Sequence, residues 1–159
     1  MSPPVWIPPG APTRPATTAG STARWWTPCT WPTARWTALA EWYRHLAEAG
    51  MPPHVSLPRD LWGYDVASLV VADLSDPDRL AGVGLPPPRP GGRSWPAFQA
   101  VGEQLQRQGW RGLLAPSAAR PASHVLVVFL PETRIPVELV AAGYTRVAEP
   151  PAPPTGMRT

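Results

Sequence analysis

The chain has 159 residues, which is enough for one domain with a hydrophobic core and too few for two independent ones. Its 14 basic residues include no lysine, exceed the 11 acidic residues by 3 and fall singly along the chain, a pattern typical of solvated surface charges and not of a nucleic-acid interface. The single cysteine excludes an internal disulfide, and the three histidines lack metal-site spacing, so no metal centre is predicted. No apolar run is long enough to span a membrane, so we expect a soluble cytoplasmic protein.

The N-terminal region shows no periodicity that would predict a packed element. Residues 1–33 are rich in proline, threonine, glycine and tryptophan without helical or strand patterning. We expect residues 1–19 to form a disordered or irregular arm, residues 20–148 to form the domain, and residues 149–159 to form an extended proline-rich tail.

Helical periodicity begins at Trp36. Apolar residues recur at three-four spacing along one helix face, namely Trp36, Leu39, Ala40, Tyr43, Leu46 and Ala47. Gly50 follows as a natural stop. Glu41, Arg44 and Glu48 lie on the other faces, where Arg44 and Glu48 have the spacing of an i,i+4 ion pair.

Strand-like segments and a short helix follow. Aromatic and β-branched residues predict strands at 61–66 and 69–74. The stretch Ser75–Asp78 has the composition of a helix start, with Pro77 in the first turn. Aromatic residues of this part and of the next helix are predicted to be core, with stacking on a nucleotide base as the alternative: Trp62, Tyr64, Trp95 and Phe98.

The second half of the chain predicts one more helix and two buried strands. Ser94 can cap a helix whose apolar face contains Phe98, Val101 and Leu105. Short apolar runs bounded by prolines predict strands at 112–115 and 125–130. Mixed elements without a regular strand-helix-strand repeat, and without a glycine-rich phosphate loop, favour a single α+β domain over a Rossmann or P-loop fold.

The segment 57–129 resembles the second half of a RES domain. Its most specific stretch is GWRGLLAPSAAR, residues 109–120, in which a glycine and an apolar strand lead to Ser117 and a loop of small residues. The segment ALAEW resembles the helix that carries the family's glutamate, here Glu41. Arg24, which Trp25 follows, resembles the arginine that opens the family's motif.

The resemblance implies a fold similar to the ADP-ribosyltransferases, with mixed small sheets, flanking helices and a cleft for NAD. It implies a bacterial toxin that degrades NAD, as one half of a toxin–antitoxin pair. NAD is then the substrate, with no separate cofactor and no metal. The implied protein partner is a helix-turn-helix antitoxin of the Xre type that blocks the cleft, and apolar strand edges are compatible with a homodimer.

The resemblance also implies a role for each motif residue. Cleaving the nicotinamide–ribose bond passes through an oxocarbenium-like state, which the Glu41 carboxylate would stabilise. Arg24 would bind the phosphates through its planar fork. Ser117 would orient a sugar or carboxamide group without acting as a nucleophile, because no His-Asp pattern nearby supports a hydrolase triad.

One departure from the family pattern leaves alternatives open. Only residues 25–40 separate Arg24 from Glu41, and they include no tyrosine, so Trp31 is the aromatic residue that would take the place of the family's tyrosine. The first alternative is a catalytically inactive or truncated RES-domain binding module. The second is an ADP-ribosyltransferase that modifies a protein. Hydrolysis and phosphorolysis are both open, because the nucleophile is not a protein group.

Overall fold

A computed structural model of the chain describes residues 5–7, 29–66, 69–91, 95–129 and 139–158. Within these ranges the elements run in the order β1 (Val5–Ile7), β2 (Cys29–Pro32), α1 (Arg35–Glu48), a 3₁₀ turn (Pro53–Ser56), β3 (Arg59–Val66), β4 (Ala72–Asp73), α2 (Pro77–Gly82), α3 (Trp95–Arg107), β5 (Gly112–Pro116), β6 (His124–Val128) and β7 (Leu139–Val147). In the described part of the chain, no helix is long and apolar enough to cross a membrane.

The strands form two sheets. The first has the order β1-β3-β7 and is antiparallel throughout, with a bulge between Gly63 and Tyr64. The second has the order β2-β6-β5-β4, in which only β4 and β5 run parallel. Pro32 ends the edge strand β2, a position where the missing N–H of proline is tolerated.

Three apolar clusters join the helices to the sheets. One lies between the second sheet and the helices α2 and α3, and includes Leu80, Leu105, Leu113, Val125 and Phe129. Another joins α1 to the first sheet, and includes Leu39, Trp42, Leu46, Leu61 and Val147. In the third, Leu126 and Val128 of β6 pack against Tyr64 and Val66 of β3, so the two sheets contact each other. α1 also contacts β2, an edge strand of the second sheet.

The predicted α+β domain with small mixed sheets is confirmed, and helices form at the three predicted places, α1 and α3 from apolar spacing and α2 from its helix-start composition. Asp76 caps α2 by accepting the backbone N–H groups of Asp78 and Arg79. The predicted strand 69–74 is shorter, because only Ala72–Asp73 pairs with β5. The predicted cap Ser94 lies outside the described residues.

Three strands were not predicted. β2 lies in the region for which no packed element was expected, and β7 lacks alternating polarity. Val5–Ile7, within the expected irregular arm, pairs with β3. These strands owe their conformation to backbone pairing with neighbours distant in sequence, which local patterning does not reveal. The division into arm, domain and tail stays a prediction.

The segment after β7 has no regular secondary structure and packs back on the domain. Pro154 is buried, and Met157 packs against the cluster around α1. The backbone N–H of Arg158 donates to the carbonyl of Ala119 at 2.7 Å. This contact brings the end of the tail beside the loop that follows β5.

Candidate active site

Glu41 of α1 and Ser117, the first residue after β5, are in direct contact. The hydroxyl of Ser117 donates to Oε1 of Glu41 at 2.6 Å, within the range of hydrogen bonds to carboxylates. The exposed fraction is 8% for Glu41 and 0% for Ser117. The fold therefore brings the two predicted catalytic residues together in a buried site, although 76 positions separate them.

Backbone N–H groups of the loop after β5 contact the Ser117 hydroxyl and the Glu41 carboxylate. The backbone N–H of Arg120 donates to Oγ of Ser117 at 3.0 Å, and the N–H of Ala119 reaches Glu41 Oε1 at 3.4 Å. The backbone N–H of Ser117 donates to the Ser123 carbonyl at 2.8 Å, which closes the loop. The Ser117 hydroxyl thus donates its proton to Glu41 and accepts from Arg120, and these two contacts hold it in one orientation.

Arg44 holds the other oxygen of the Glu41 carboxylate. Its Nε donates to Glu41 Oε2 at 2.8 Å, and its Nη1 donates to Glu48 Oε1 at 2.6 Å. The predicted Arg44–Glu48 pair is thus present. The expectation that the scattered arginines are solvated is wrong for Arg44, which is buried at 5% exposure. A buried carboxylate is stable only with compensating partners, and Arg44 supplies the opposite charge.

The charges of this network shift its pKa values. Burial alone would lower the pKa of Arg44, but the charges of Glu41 and Glu48 and the hydrogen bonds to them outweigh burial and raise it. Partial burial would raise the pKa of Glu48, but the Gly91 N–H at 3.1 Å and Arg44 outweigh it and lower that pKa. The guanidinium and the Glu48 carboxylate are therefore both stabilised in their charged forms.

A cleft of about 370 Å³ opens beside Ser117. This volume is within the range of small-molecule sites. Its described lining consists of Ser75, Pro77, Pro87, Pro88, Arg89, Pro116, Ser117, Pro121 and Arg158. Sequence reasoning did not single out Arg89 or Arg158, because no local pattern indicates that these two distant positions meet at one cleft.

The structure describes the other predicted site residues only in part. Arg24 lies outside the described residues. Trp31 is in β2, where its backbone pairs with Leu126 of β6. Trp95, predicted to be core, is instead 45% exposed, and its ring centroid lies 5.9 Å from the Arg44 guanidinium carbon. Within the described residues, no three His, Cys, Asp or Glu side chains are grouped to hold a metal ion.

Comparison with known proteins identifies the family. The sequence model of the RES domain matches residues 33–147. No curated protein matches the sequence significantly. Among solved structures, a chain of the crystal structure of the M. tuberculosis MbcT–MbcA toxin–antitoxin complex superposes with a TM-score of 0.71 and 22% identity, covering 93% of this chain and 85% of that chain. That superposition establishes the fold, and the family-model match shows that the chain belongs to the RES domain family.

Proposed function

We propose that this RES-domain chain is an enzyme that cleaves the bond between nicotinamide and ribose in NAD. The observation that carries the proposal is the buried 2.6 Å contact between Glu41 and Ser117, a residue that belongs to the lining of a cleft. Cleavage develops positive charge on the ribose ring, and a fixed carboxylate shielded from water stabilises such charge strongly. Glu41 has both properties.

The contacts of Glu41 keep its carboxylate in one orientation. Ser117 and the Ala119 N–H hold one oxygen, and Arg44 holds the other. A preorganised group needs no rearrangement as charge develops, which is the main source of electrostatic catalysis. Ser117, which belongs to the lining of the cleft, would position the sugar next to Glu41.

The proposed reaction balances without a metal or cofactor. The electron pair of the C–N bond leaves with nicotinamide and neutralises its ring charge. Water then adds to the ribose carbon and loses a proton, which yields ADP-ribose. Alternatively, inorganic phosphate adds and yields the 1-phosphate of ADP-ribose. A chelator should leave the rate unchanged.

We also propose a biological setting. The similar solved structure is that of a toxin–antitoxin complex, which supports a toxin role for this chain and an antitoxin as its partner. We propose an antitoxin of the Xre type that covers the cleft, and action on NAD in the cytoplasm. A homodimer is a further assembly to test, by measuring the mass of the purified chain in solution.

The test measures nicotinamide release from NAD by the wild type, Glu41→Gln and the control Glu103→Gln. Glu103 lies on α3 and is exposed, so the control repeats the same chemical change away from the cleft. We expect the wild type and the control to release nicotinamide, and Glu41→Gln to be slower by about 100-fold, as for loss of other preorganised transition-state contacts. Equal rates for all three proteins would refute the role of Glu41.

Product analysis separates the alternatives. ADP-ribose indicates hydrolysis, and a product that appears only with added phosphate indicates phosphorolysis. Label from the adenylate half of NAD that becomes attached to protein indicates an ADP-ribosyltransferase. Binding of NAD without turnover indicates an inactive binding module.

A further inference from the structure

Two arginines distant in sequence line the same cleft as Ser117. Arg89 belongs to the loop between α2 and α3, and Arg158 belongs to the C-terminal tail. Both residues are exposed. Among the described residues, neither guanidinium has an ion pair or a hydrogen bond, in contrast to the paired Arg44, Arg79 and Arg146. Two unpaired positive charges therefore border one concave surface.

The tail that carries Arg158 is anchored at several points. The Tyr43 hydroxyl donates to the Pro151 carbonyl, and Met157 packs against the cluster around α1. The Arg158 backbone N–H donates to Ala119, two residues after Ser117. These contacts fix the backbone of Arg158 next to the loop that holds the Glu41–Ser117 pair.

The loop that carries Arg89 is connected to the same network. The Gly91 N–H, two residues after Arg89, donates to Glu48 Oε1 at 3.1 Å, and Glu48 is bound by Arg44. Both arginine-bearing segments are thus held by contacts that lead to α1 or to the Ser117 loop. Fixing the backbone of each segment lowers the entropy lost when the side chains bind a ligand.

The rest of the described lining favours an anion. It contains five prolines and two serines but no acidic residue, so nothing in it competes for the two guanidinium groups. Proline walls are conformationally restricted and donate no backbone hydrogen bond, which leaves the arginines as the main polar donors of the cleft. An arginine fork fits the oxygens of a phosphate group with two parallel hydrogen bonds.

We propose that Arg89 and Arg158 bind the diphosphate of the substrate, in addition to Arg24, to which the family resemblance gives a phosphate-binding role. This inference rests on the NAD-cleaving function proposed above. A dinucleotide diphosphate carries one negative charge on each phosphate, so two arginines match it. Because Ser117 lines the same cleft, a diphosphate bound there keeps the adjoining ribose near the Glu41–Ser117 pair. The C-terminal tail thereby becomes part of the substrate site.

The test compares substrates with and without phosphate. The variants are Arg89→Gln, Arg158→Gln and the double variant, and the control is Arg107→Gln, an exposed arginine at the end of α3. We expect each single variant to raise KM for NAD by about 10-fold, the loss of one charge-assisted contact. The same variants should leave kcat/KM for nicotinamide riboside, which has no phosphate, at the wild-type value. Unchanged KM for NAD, or equal losses on both substrates, would overturn the proposal.

Direct binding distinguishes failure of this inference from failure of the proposed function. Calorimetry with inorganic pyrophosphate reports on the two arginines without any turnover. If the wild type binds pyrophosphate and the double variant does not, the anion site stands even when no NAD is cleaved. If NAD is cleaved but the double variant binds pyrophosphate as the wild type does, the function stands and the arginine site is refuted. A wild type that neither cleaves NAD nor binds pyrophosphate refutes both.

Discussion

Arg44 follows Glu41 by one turn of α1 and donates from Nε to its carboxylate at 2.8 Å, with side-chain exposures of only 6% and 11%. The same guanidinium reaches Glu48, whose side chain is 33% exposed. Arg44 therefore connects the carboxylate next to the cleft with the surface of the helix. The consequences of this relationship can be measured separately for stability and for pH dependence.

Replacing Arg44 with methionine should strongly destabilise the protein. The change preserves much of the side-chain volume but leaves the buried Glu41 carboxylate without its opposite charge, a loss that typically costs about 3–5 kcal/mol. The control Arg146→Met removes the surface pair with Asp60, in which the arginine side chain is 60% exposed, and should cost about 1 kcal/mol or less. Urea denaturation measures both. Similar losses for the two variants would contradict a special role for Arg44.

Glu48→Gln should flatten the acid side of the stability profile. The Gly91 N–H and Arg44 lower the pKa of Glu48 in the folded protein against the opposing effect of burial. A lowered folded-state pKa contributes stability that is present above the unfolded-state pKa, whose usual value is 4.5, and is lost as pH falls through the folded-state pKa. As pH falls below the unfolded-state pKa of Glu48, the free energy of unfolding should therefore decrease more for the wild type than for the variant. Parallel profiles in denaturation experiments across acidic pH would show that the contact does not favour the charged form.

The helix α1 shows which parts of the site the sequence could predict. Its apolar spacing correctly predicts the helix, and Leu39, Tyr43 and Leu46 of the predicted face pack on the first sheet. The prediction is wrong for Trp36, which is 51% exposed, and it omits Trp42, which is buried in the same cluster. The same spacing treats Glu41 and Arg44 as residues of the other faces, because it counts only apolar side chains. Their burial depends on a charge partner and on a hydroxyl 76 positions away, and local periodicity contains neither. The likeness of the motif around Ser117 to the RES family, and not periodicity, indicated that pair.

Long-range pairing explains the elements that were missed. β7 contains the run Ala141-Ala142-Gly143, which has weak strand propensity, yet it pairs with β3 along most of its length. The cleft arginines were missed for a similar reason, since the tail must fold back before Arg158 meets Arg89.

Gly112 is predicted to be required for the close approach of β5 and β6. A Cβ atom at this position would lie 2.2 Å from the carbonyl oxygen of Val127, so the strands must separate to accept alanine. Gly112→Ala should cost about 1–3 kcal/mol of unfolding free energy, as overpacking does. The control is Gly82→Ala at the end of α2, where a Cβ would meet nothing within 4 Å and where alanine should be neutral or slightly stabilising. Chemical denaturation of both variants measures the difference, and equal stability of the two would contradict the steric argument.

Tyr43→Phe should loosen the tail without unfolding the domain. The variant loses the hydrogen bond from the hydroxyl to the Pro151 carbonyl, worth about 1 kcal/mol. Burial raises the pKa of the Tyr43 phenol, so the hydroxyl remains a donor at neutral pH. We expect faster hydrogen exchange at the amides of Met157 and Arg158, which donate to Pro154 and Ala119, and unchanged exchange in α3.

The control for the tail is Tyr144→Phe, which alters a tyrosine that is 58% exposed on the first sheet. It should leave tail exchange at the wild-type rate. If the tail positions Arg158 at the cleft, Tyr43→Phe should also raise KM for NAD in the direction of Arg158→Gln, while nicotinamide riboside is cleaved as by the wild type. Faster tail exchange with an unchanged KM for NAD would contradict this prediction, because it would show that substrate binding does not depend on a fixed backbone at Arg158.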